Sequence, residues 1–242
     1  MAGLRMSLAL SRDDIVRILH ECVRRSGLRE AYVQMTCTRG VPPAASRDPR
    51  ACVNQFSAFA QPFVWIATEE QRRTGMRLIV SSVQRIPPEA VDPRIKNFHW
   101  LDLTMGILEA YDRDADVAVL PDRDGNVTEG PGFNIFSVSG GRLVTPDRGM
   151  FEGITRRSVI ELAEELQLAV EVRALPAAEL RNADEIFITS TAGGIIPVTT
   201  LEGARIGDGR PGRITQAIHD LYWRRYEEGW KSTPVDYEGS PT

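Results

Sequence analysis

Lysine is so rare in this 242-residue chain that its position carries information. Of the 29 basic residues, all except Lys96 and Lys231 are arginines. An arginine side chain stays protonated in proteins and cannot act as an amine nucleophile, whereas a lysine can once burial and neighbouring charges lower its pKa. Lys231 lies in the polar stretch EEGWKSTP and fits an ordinary surface residue. Lys96, in IKNFHWLD, is therefore the candidate nucleophile.

A second stretch, TEGPGFN at residues 128–134, places one carboxylate among small residues and a proline. Glycines in a strand-rich region allow another group to approach the backbone closely. Glu129 is therefore a candidate ligand-binding carboxylate. Taken alone, the stretch also fits a turn that follows RDGN.

Two further stretches resemble phosphate-binding turns. FEGITRRS, residues 151–158, puts Gly153, Ile154 and Thr155 at the start of a predicted helix, where free N–H groups and the helix dipole favour an anion. ITSTAGG, residues 188–194, ends a predicted strand in hydroxyl residues and two glycines. The alternatives are ordinary helix capping and a tight bend. Together, however, a reactive amine, a carboxylate and two such turns form the set that pyridoxal phosphate requires.

Composition and motifs narrow the function classes. The net charge of −4 is spread along the chain without a basic segment, so neither nucleic acid nor membrane is an expected partner. The three cysteines form no CxxC pair, and the three histidines have no metal-ligand spacing. We therefore predict a cytoplasmic protein without a metal site. GDGRPG, residues 207–212, matches GxGxxG, but too little chain follows for a dinucleotide-binding unit, so we interpret it as a turn.

Hydrophobic periodicity predicts two units. SRDDIVRILHECVRRSG is an amphipathic helix capped by Ser11 and ended by Gly27, and AYVQMTCT alternates like a strand. RIPPEAVDPR, residues 85–94, contains three prolines and is typical of a linker. We predict a small, incomplete α+β domain at 1–88, a linker at 89–95 and a large cofactor-binding domain at 96–242. The large domain begins with a predicted helix, NFHWLDLTMGILEAYDRDA, whose apolar side contains Phe98, Leu101, Met105 and Leu108. It then alternates strands with helices and ends in an amphipathic helix.

Four motifs in order, IKNFHWLDL, TEGPGFNIF, TPDRGMFEGITR and DEIFITSTAGGIIPVT, resemble the fold-type IV pyridoxal-phosphate enzymes, which are the class IV aminotransferases. The residues in these motifs are most similar to those of the (R)-selective amine transaminase and branched-chain aminotransferase branch. The resemblance implies a D-amino-acid-aminotransferase-like fold, with a small α+β domain and a larger β-rich pseudo-barrel domain with helices. It also implies a homodimer.

The resemblance further implies roles for individual residues. Lys96 would form a Schiff base with pyridoxal 5'-phosphate and move a proton during catalysis. The other implied cofactor-binding residues are Glu129, at the pyridine nitrogen, and Ile154, Thr155 and Thr191, at the phosphate. The implied substrate-pocket residues are Tyr32, Gln34, Trp100 and Ala192.

The implied reaction moves an amino group between a branched-chain amino acid or primary amine and a 2-oxo acid. The alternatives are a lyase acting on an aminodeoxychorismate-like substrate and a truncated, inactive homologue. The family carries further strands, a helix and a phosphate-binding arginine before the position that matches residue 11, so we expect the first domain to be incomplete. Gln34 replaces a glutamate common among amine transaminases. Ala45 stands where a mobile arginine is expected, and Arg47 lies two places on.

Overall fold

The computed structural model describes residues 1–238, which form two compact units. The first contains residues 1–64 and 232–238, and the second contains Trp65–Lys231. The division falls before the linker predicted at 89–95. The reason is that the strand Met76–Val80 pairs with two strands of the second unit's sheet and cannot belong to the first unit.

The elements follow the predicted alternation of helices and strands. The helices are α1 Arg12–Ser26, α2 Glu69–Thr74, α3 Leu101–Asp112, α4 Ile154–Glu165, α5 Ala177–Leu180 and α6 Arg213–Glu227. The strands are β1 Ala31–Thr38, β2 Gln55–Pro62, β3 Met76–Val80, β4 Val117–Val119, β5 Asn126–Val127, β6 Glu129–Gly130, β7 Phe133–Ser139, β8 Arg142–Thr145, β9 Val170–Val172, β10 Leu175–Pro176, β11 Glu185–Ser190, β12 Gly194–Leu201 and β13 Ala204–Arg205. No helix formed by residues 1–238 combines the length and apolar character needed to cross a lipid bilayer.

The first unit packs α1 against a two-stranded antiparallel hairpin of β1 and β2. Ser11 caps α1 as predicted, because its hydroxyl accepts a hydrogen bond from the Asp14 N–H at 3.1 Å and the Asp14 carboxylate accepts one from the Ser11 N–H at 3.1 Å. Gly27 ends the helix with φ of +68°. In the hairpin, Gln34 stands opposite Phe59.

The second unit is built on a nine-stranded mixed sheet in the order β4-β3-β12-β11-β7-β8-β9, with β13 beside β12 and β6 beside β7. Three pairs are parallel: β12 with β3, β3 with β4, and β8 with β9. The remaining pairs of this sheet are antiparallel. This mixed α/β architecture agrees with the predicted fold class.

Both faces of the central strands are buried, and in β7 every residue from Phe133 to Val138 is buried, including the polar residues Asn134 and Ser137. One face contributes Ile135, Ile188 and Ile196 to the larger core. The other lies under α4 and α6, where Phe136 stacks on Phe187 with ring centroids 4.9 Å apart. The sheet, α4 and α6 pack together in this cluster. The turn before α4 and the turn after β11 are therefore both attached to well-packed elements.

Candidate active site

Glu129 is a buried carboxylate of the second unit, with 6% of its surface exposed. It lies on the short strand β6, opposite Asn134 of β7. The next residue must be glycine, since a β-carbon at Gly130 would stand 2.4 Å from the Ala118 carbonyl oxygen and 2.1 Å from the Phe133 ring. This tight passage fixes the backbone that carries the carboxylate.

Both oxygens of Glu129 accept hydrogen bonds. Oε1 accepts from Arg85 Nε at 3.2 Å and from Nη2 at 3.0 Å. Oε2 accepts from the backbone N–H of Phe151 at 2.9 Å. Burial raises the pKa of the Glu129 carboxyl above its ordinary value, while the Phe151 N–H and the charge of Arg85 act in the opposite direction.

Arg85 joins Glu129 to a second buried carboxylate. Its Nη1 donates to Asp102 Oδ2 at 2.6 Å, and the side chains of Arg85 and Asp102 are 9% and 8% exposed. Asp102 Oδ2 also accepts from the Ile86 N–H at 2.8 Å, and Oδ1 accepts from the Leu103 N–H at 2.9 Å. Neither residue was predicted from the sequence. The available signals were an acidic residue inside the apolar run WLDLTM and an arginine directly before IPP.

Lys96 lies in the loop that precedes α3. Asn97 shapes this loop, because its side chain donates to the Ile95 carbonyl at 2.7 Å and accepts from the His99 N–H at 2.8 Å. The Lys96 amine is exposed rather than buried, and Nζ stands 5.1 Å from the centre of the Phe151 ring. Since the Phe151 N–H binds Glu129, the structure brings the two predicted residues Lys96 and Glu129 to the same neighbour.

The two lysines differ in their surroundings. Lys231 pairs with Glu161 at 2.6 Å and lies 4.4 Å from the Trp230 ring centre. No acidic side chain of residues 1–238 lies within ion-pairing distance of Lys96 Nζ. The Lys96 amine is therefore not held in an ion pair among residues 1–238, which leaves it available to act as a nucleophile when deprotonated.

Helix α4 begins at the predicted phosphate-binding turn. Gly153 is its N-cap in extended conformation, and no side chain caps the helix. A β-carbon at Gly153 would stand 2.3 Å from Asn134 Oδ1, so the site tolerates only glycine without a shift. The first bond inside the helix runs from Arg157 N to the Gly153 oxygen at 3.1 Å. The N–H groups between them therefore lack an acceptor within α4 and can bind an anion.

The predicted residues of α4 differ in how they meet this turn. Ile154 is 62% exposed and its side chain is apolar, so its backbone N–H is the group that can bind an anion. Thr155 is buried, with 5% of its surface exposed. A phosphate at this turn would meet backbone N–H groups first.

The turn STAGG, between β11 and β12, lies beside the Glu129 loop. Ser190 Oγ donates to the Gly132 carbonyl at 2.9 Å and accepts from the Ala192 N–H at 3.2 Å. A β-carbon at Gly132 would stand 3.5 Å from Trp100 Cη2. Trp100 therefore lies beside Gly132, and the Ser190 hydroxyl connects Gly132 to Ala192. Thr191 is exposed in the turn between β11 and β12.

Tyr32 and Gln34 belong to the first unit, where they share one face of the hairpin β1–β2. Tyr32 stands opposite Gln61, and its ring lies 6.4 Å from the Phe63 ring. Their place in a substrate pocket stays a prediction.

The geometry defines a candidate site with an amine outside any ion pair among residues 1–238, a buried carboxylate and an uncapped helix start. Comparisons with known proteins give the family of the chain. Residues 1–201 match the model of the amino-transferase class IV family. The chain belongs to this family. A putative branched-chain-amino-acid aminotransferase of Methanocaldococcus jannaschii is 34% identical over 223 residues, covering 91% of this chain and 76% of the relative. The branched-chain-amino-acid aminotransferase of Escherichia coli K12 is 29% identical over 233 residues, covering 93% and 75%.

Solved structures give the same result. The branched-chain amino acid aminotransferase of Thermobaculum terrenum, in its PLP-bound holo form, has a TM-score of 0.86 at 29% identity, over 96% of this chain and 75% of that one. The enzyme of Thermoproteus uzoniensis with norvaline has a TM-score of 0.87 at 29% identity, over 97% and 80%. The predicted family, fold class and transaminase activity are confirmed, and the lyase alternative is not favoured. Class IV aminotransferases use pyridoxal phosphate.

Proposed function

We propose that this chain binds pyridoxal phosphate and transfers an amino group between a branched-chain amino acid and a 2-oxo acid, with Lys96 as the catalytic amine. The observation that carries the proposal is the placement of Lys96 and Glu129 against the same residue, Phe151, with Nζ 5.1 Å from its ring and Oε2 2.9 Å from its N–H. The branched-chain substrate is proposed because the relatives bear that name.

The residues present fit this cofactor, which supplies an aldehyde that condenses with an amine and a pyridine ring that withdraws electrons from the substrate Cα. Lys96 Nζ, which lacks a carboxylate partner among residues 1–238, is able to attack when deprotonated. With the cofactor bound, the same amine would take the proton from the substrate Cα and return it during the transfer. Its loop, fixed by Asn97, limits how far Nζ can move.

Glu129 serves as the acceptor for a protonated ring nitrogen. A carboxylate oxygen has about two acceptor positions, and Oε2 uses one of them for the Phe151 N–H. The second position is available for a charge-assisted hydrogen bond, which is stronger than a neutral one. Arg85 holds the other oxygen, so the carboxylate cannot rotate freely.

We assign the phosphate to the start of α4 and to Thr191. The N–H groups of Ile154 and Thr155 and the positive end of the helix dipole favour an anion there. Trp100 and Ala192 are proposed to line the substrate side. Trp100 and Ile66 flank Gly132 at 3.5 and 3.8 Å from its β-carbon position, which provides an apolar wall for an aliphatic side chain.

The proposed assembly is a homodimer, supported by an exposed apolar face on and before α3. The sequence predicted that Phe98, Leu101, Met105 and Leu108 share one side of this segment, and they are 79%, 74%, 47% and 48% exposed. Contiguous apolar surface of this kind is typical of protein interfaces. Sedimentation of the wild type beside Met105→Glu should show a dimer that the variant weakens. A monomeric wild type would contradict the proposal.

The covalent role of Lys96 is tested by adding pyridoxal phosphate to the purified chain, reducing with borohydride and mapping the labelled peptide by mass spectrometry. The expected label is on Lys96 in the wild type and in Lys231→Arg. Lys96→Arg keeps the charge but removes the nucleophile, so it should carry no label and lose the visible absorption band that leucine bleaches in the wild type. A label on Lys231, or an unlabelled wild type, contradicts the proposal. Comparison of leucine with an arylalkyl amine as donor tests the substrate class.

A further inference from the structure

A buried row of charges extends from the site toward α3, and its far end plays no part in the function proposed so far. Asp102, Arg85 and Glu129 follow one another through contacts of 2.6 and 3.0 Å, and their side chains are 8–9% exposed. Two carboxylates and one guanidinium leave this row with a net charge of −1 when both carboxyls are ionised. A buried net charge is costly unless something compensates it.

The position of the surplus charge can be read from the hydrogen bonds. Asp102 is well supported, because it accepts from Arg85, from the Ile86 N–H and from its own helix at the Leu103 N–H. It also lies in the first turn of α3, where the helix dipole favours an anion. Glu129 Oε2 accepts only one N–H among residues 1–238. The unsatisfied acceptor capacity is therefore at Glu129.

We propose that Arg85 and Asp102 are positioning residues that make Glu129 a strong acceptor for a cationic N–H donor of the bound cofactor. This inference rests on the proposed function. With Arg85 alone, Glu129 would be neutralised by its own partner and would attract a second cation weakly. Asp102 offsets the charge of Arg85, so that Arg85 orients the Glu129 carboxylate without cancelling it. A protonated ring nitrogen then completes a neutral row of two anions and two cations.

The same short segment carries the amine and the charge. Lys96 precedes α3, Trp100 is the N-cap of that helix, and Asp102 is in its first turn. The charged side chains that influence Glu129 are Arg85, from the segment after β3, and Asp102, from α3. The Lys96 amine lies beside the Phe151 ring, whereas Glu129 accepts a hydrogen bond from the Phe151 backbone N–H. The charged groups to consider in the pH dependence of the site are therefore Lys96, Arg85, Asp102 and Glu129.

The test is the pH dependence of the loaded enzyme in Asp102→Asn. Removal of one charge that acts on a near neighbour shifts a pKa by about one unit or more, which corresponds to about tenfold in protonation. Because the lost charge is negative, the ring proton is held less tightly. The alkaline limb of kcat/KM and of the visible absorption band should therefore move to lower pH by about one unit. Asp102→Glu, which keeps the charge, should restore most of the wild-type profile.

The control is Asp92→Asn, since Asp92 also pairs with an arginine, Arg94, at 2.9 Å, but this pair is much more accessible to solvent, with side chains 35% and 70% exposed. Its profile should equal that of the wild type. In a Glu129→Gln background, Asp102→Asn should have little further effect on kcat/KM, because Asp102 acts through Glu129.

Two outcomes overturn the inference while the proposed function stands: an unchanged profile in Asp102→Asn with only lower thermal stability, or effects of Asp102→Asn and Glu129→Gln that multiply. A wild type that neither changes the cofactor spectrum nor transfers amino groups overturns both the inference and the proposed function. The borohydride label on Lys96 distinguishes these cases, because it depends on the amine and not on Asp102.

Discussion

Replacing Arg85 by Met removes the only cation that contacts Glu129 and Asp102 among residues 1–238, and it does so without any cofactor present. The variant loses hydrogen bonds of 2.6, 3.0 and 3.2 Å to two carboxylates. Loss of one partner from a buried ion pair typically costs about 3–5 kcal/mol. Burial of the Met side chain returns about 1.5 kcal/mol. We therefore expect the free energy of unfolding to fall by about 2–3 kcal/mol at neutral pH.

The loss should depend on pH in a defined direction. Without Arg85, the pKa of the Glu129 carboxyl should rise further above that of the unfolded chain, because burial then acts without a compensating cation. The folded variant binds protons that the unfolded chain does not, so its stability is greatest at low pH and is lost as pH rises through the raised pKa. The wild type shares a weaker form of this trend, since burial already raises the pKa of Glu129. The deficit relative to wild type should be larger at about pH 8 than at about pH 5.5.

The assay is urea unfolding of the protein without cofactor, followed by circular dichroism at both pH values. Arg94→Met is the matched control, because Arg94 forms an ion pair of 2.9 Å with Asp92 but is 70% exposed. Exposed pairs of this kind contribute about 0–1 kcal/mol. If Arg85→Met unfolds like Arg94→Met, or if its deficit is equal at the two pH values, the buried charges are not coupled as described.

Further predictions concern the helix starts. Gly153→Ala should lower stability by about 1–3 kcal/mol and weaken cofactor binding, because the new β-carbon meets Asn134 Oδ1; urea unfolding and cofactor titration check this, and unchanged affinity would contradict it. Glu185 accepts two backbone N–H bonds at the start of α6, so Glu185→Ala should cost about 1–2 kcal/mol in urea unfolding. Hydrogen bonds from Ser11 lower the pKa of Asp14 from 3.8 to about 2. The stabilising effect of this cap should therefore be complete above the ordinary pKa of 3.8 and be lost progressively as pH falls toward about 2, and a carboxyl NMR titration midpoint near the ordinary value would refute this.

The sequence predicted most elements of the fold because they have local causes. The cap at Ser11, the end at Gly27 and the turn before α4 depend on neighbouring residues and were placed correctly. The glycines around Glu129 likewise indicated a close approach to the backbone, which the structure has at Gly130, whereas the ligand-binding role of Glu129 stays a prediction. These features follow from periodicity and from the conformational freedom of glycine.

The features that the sequence did not predict depend on distant residues. Arg85 precedes a proline-rich segment and was assigned to a linker region, yet it pairs with a residue 44 positions away. The strand β3 was assigned to the first domain because periodicity does not identify a parallel partner, and that partner is β12. The apolar side of α3 was recognised, but the periodicity of a helix does not indicate whether its apolar side faces a core or a partner.

Phe151 makes two kinds of contact with two separate parts of the residue. Its backbone N–H binds Glu129 and its carbonyl accepts from the Asn134 side chain at 2.7 Å, whereas its ring faces Lys96. Any amino acid except proline offers the same N–H and carbonyl. Mutation at position 151 can therefore change the surroundings of the amine while the carboxylate keeps its partner. A series of substitutions at this position would therefore alter what lies beside Lys96, because the contact with the buried Glu129 is made by the backbone.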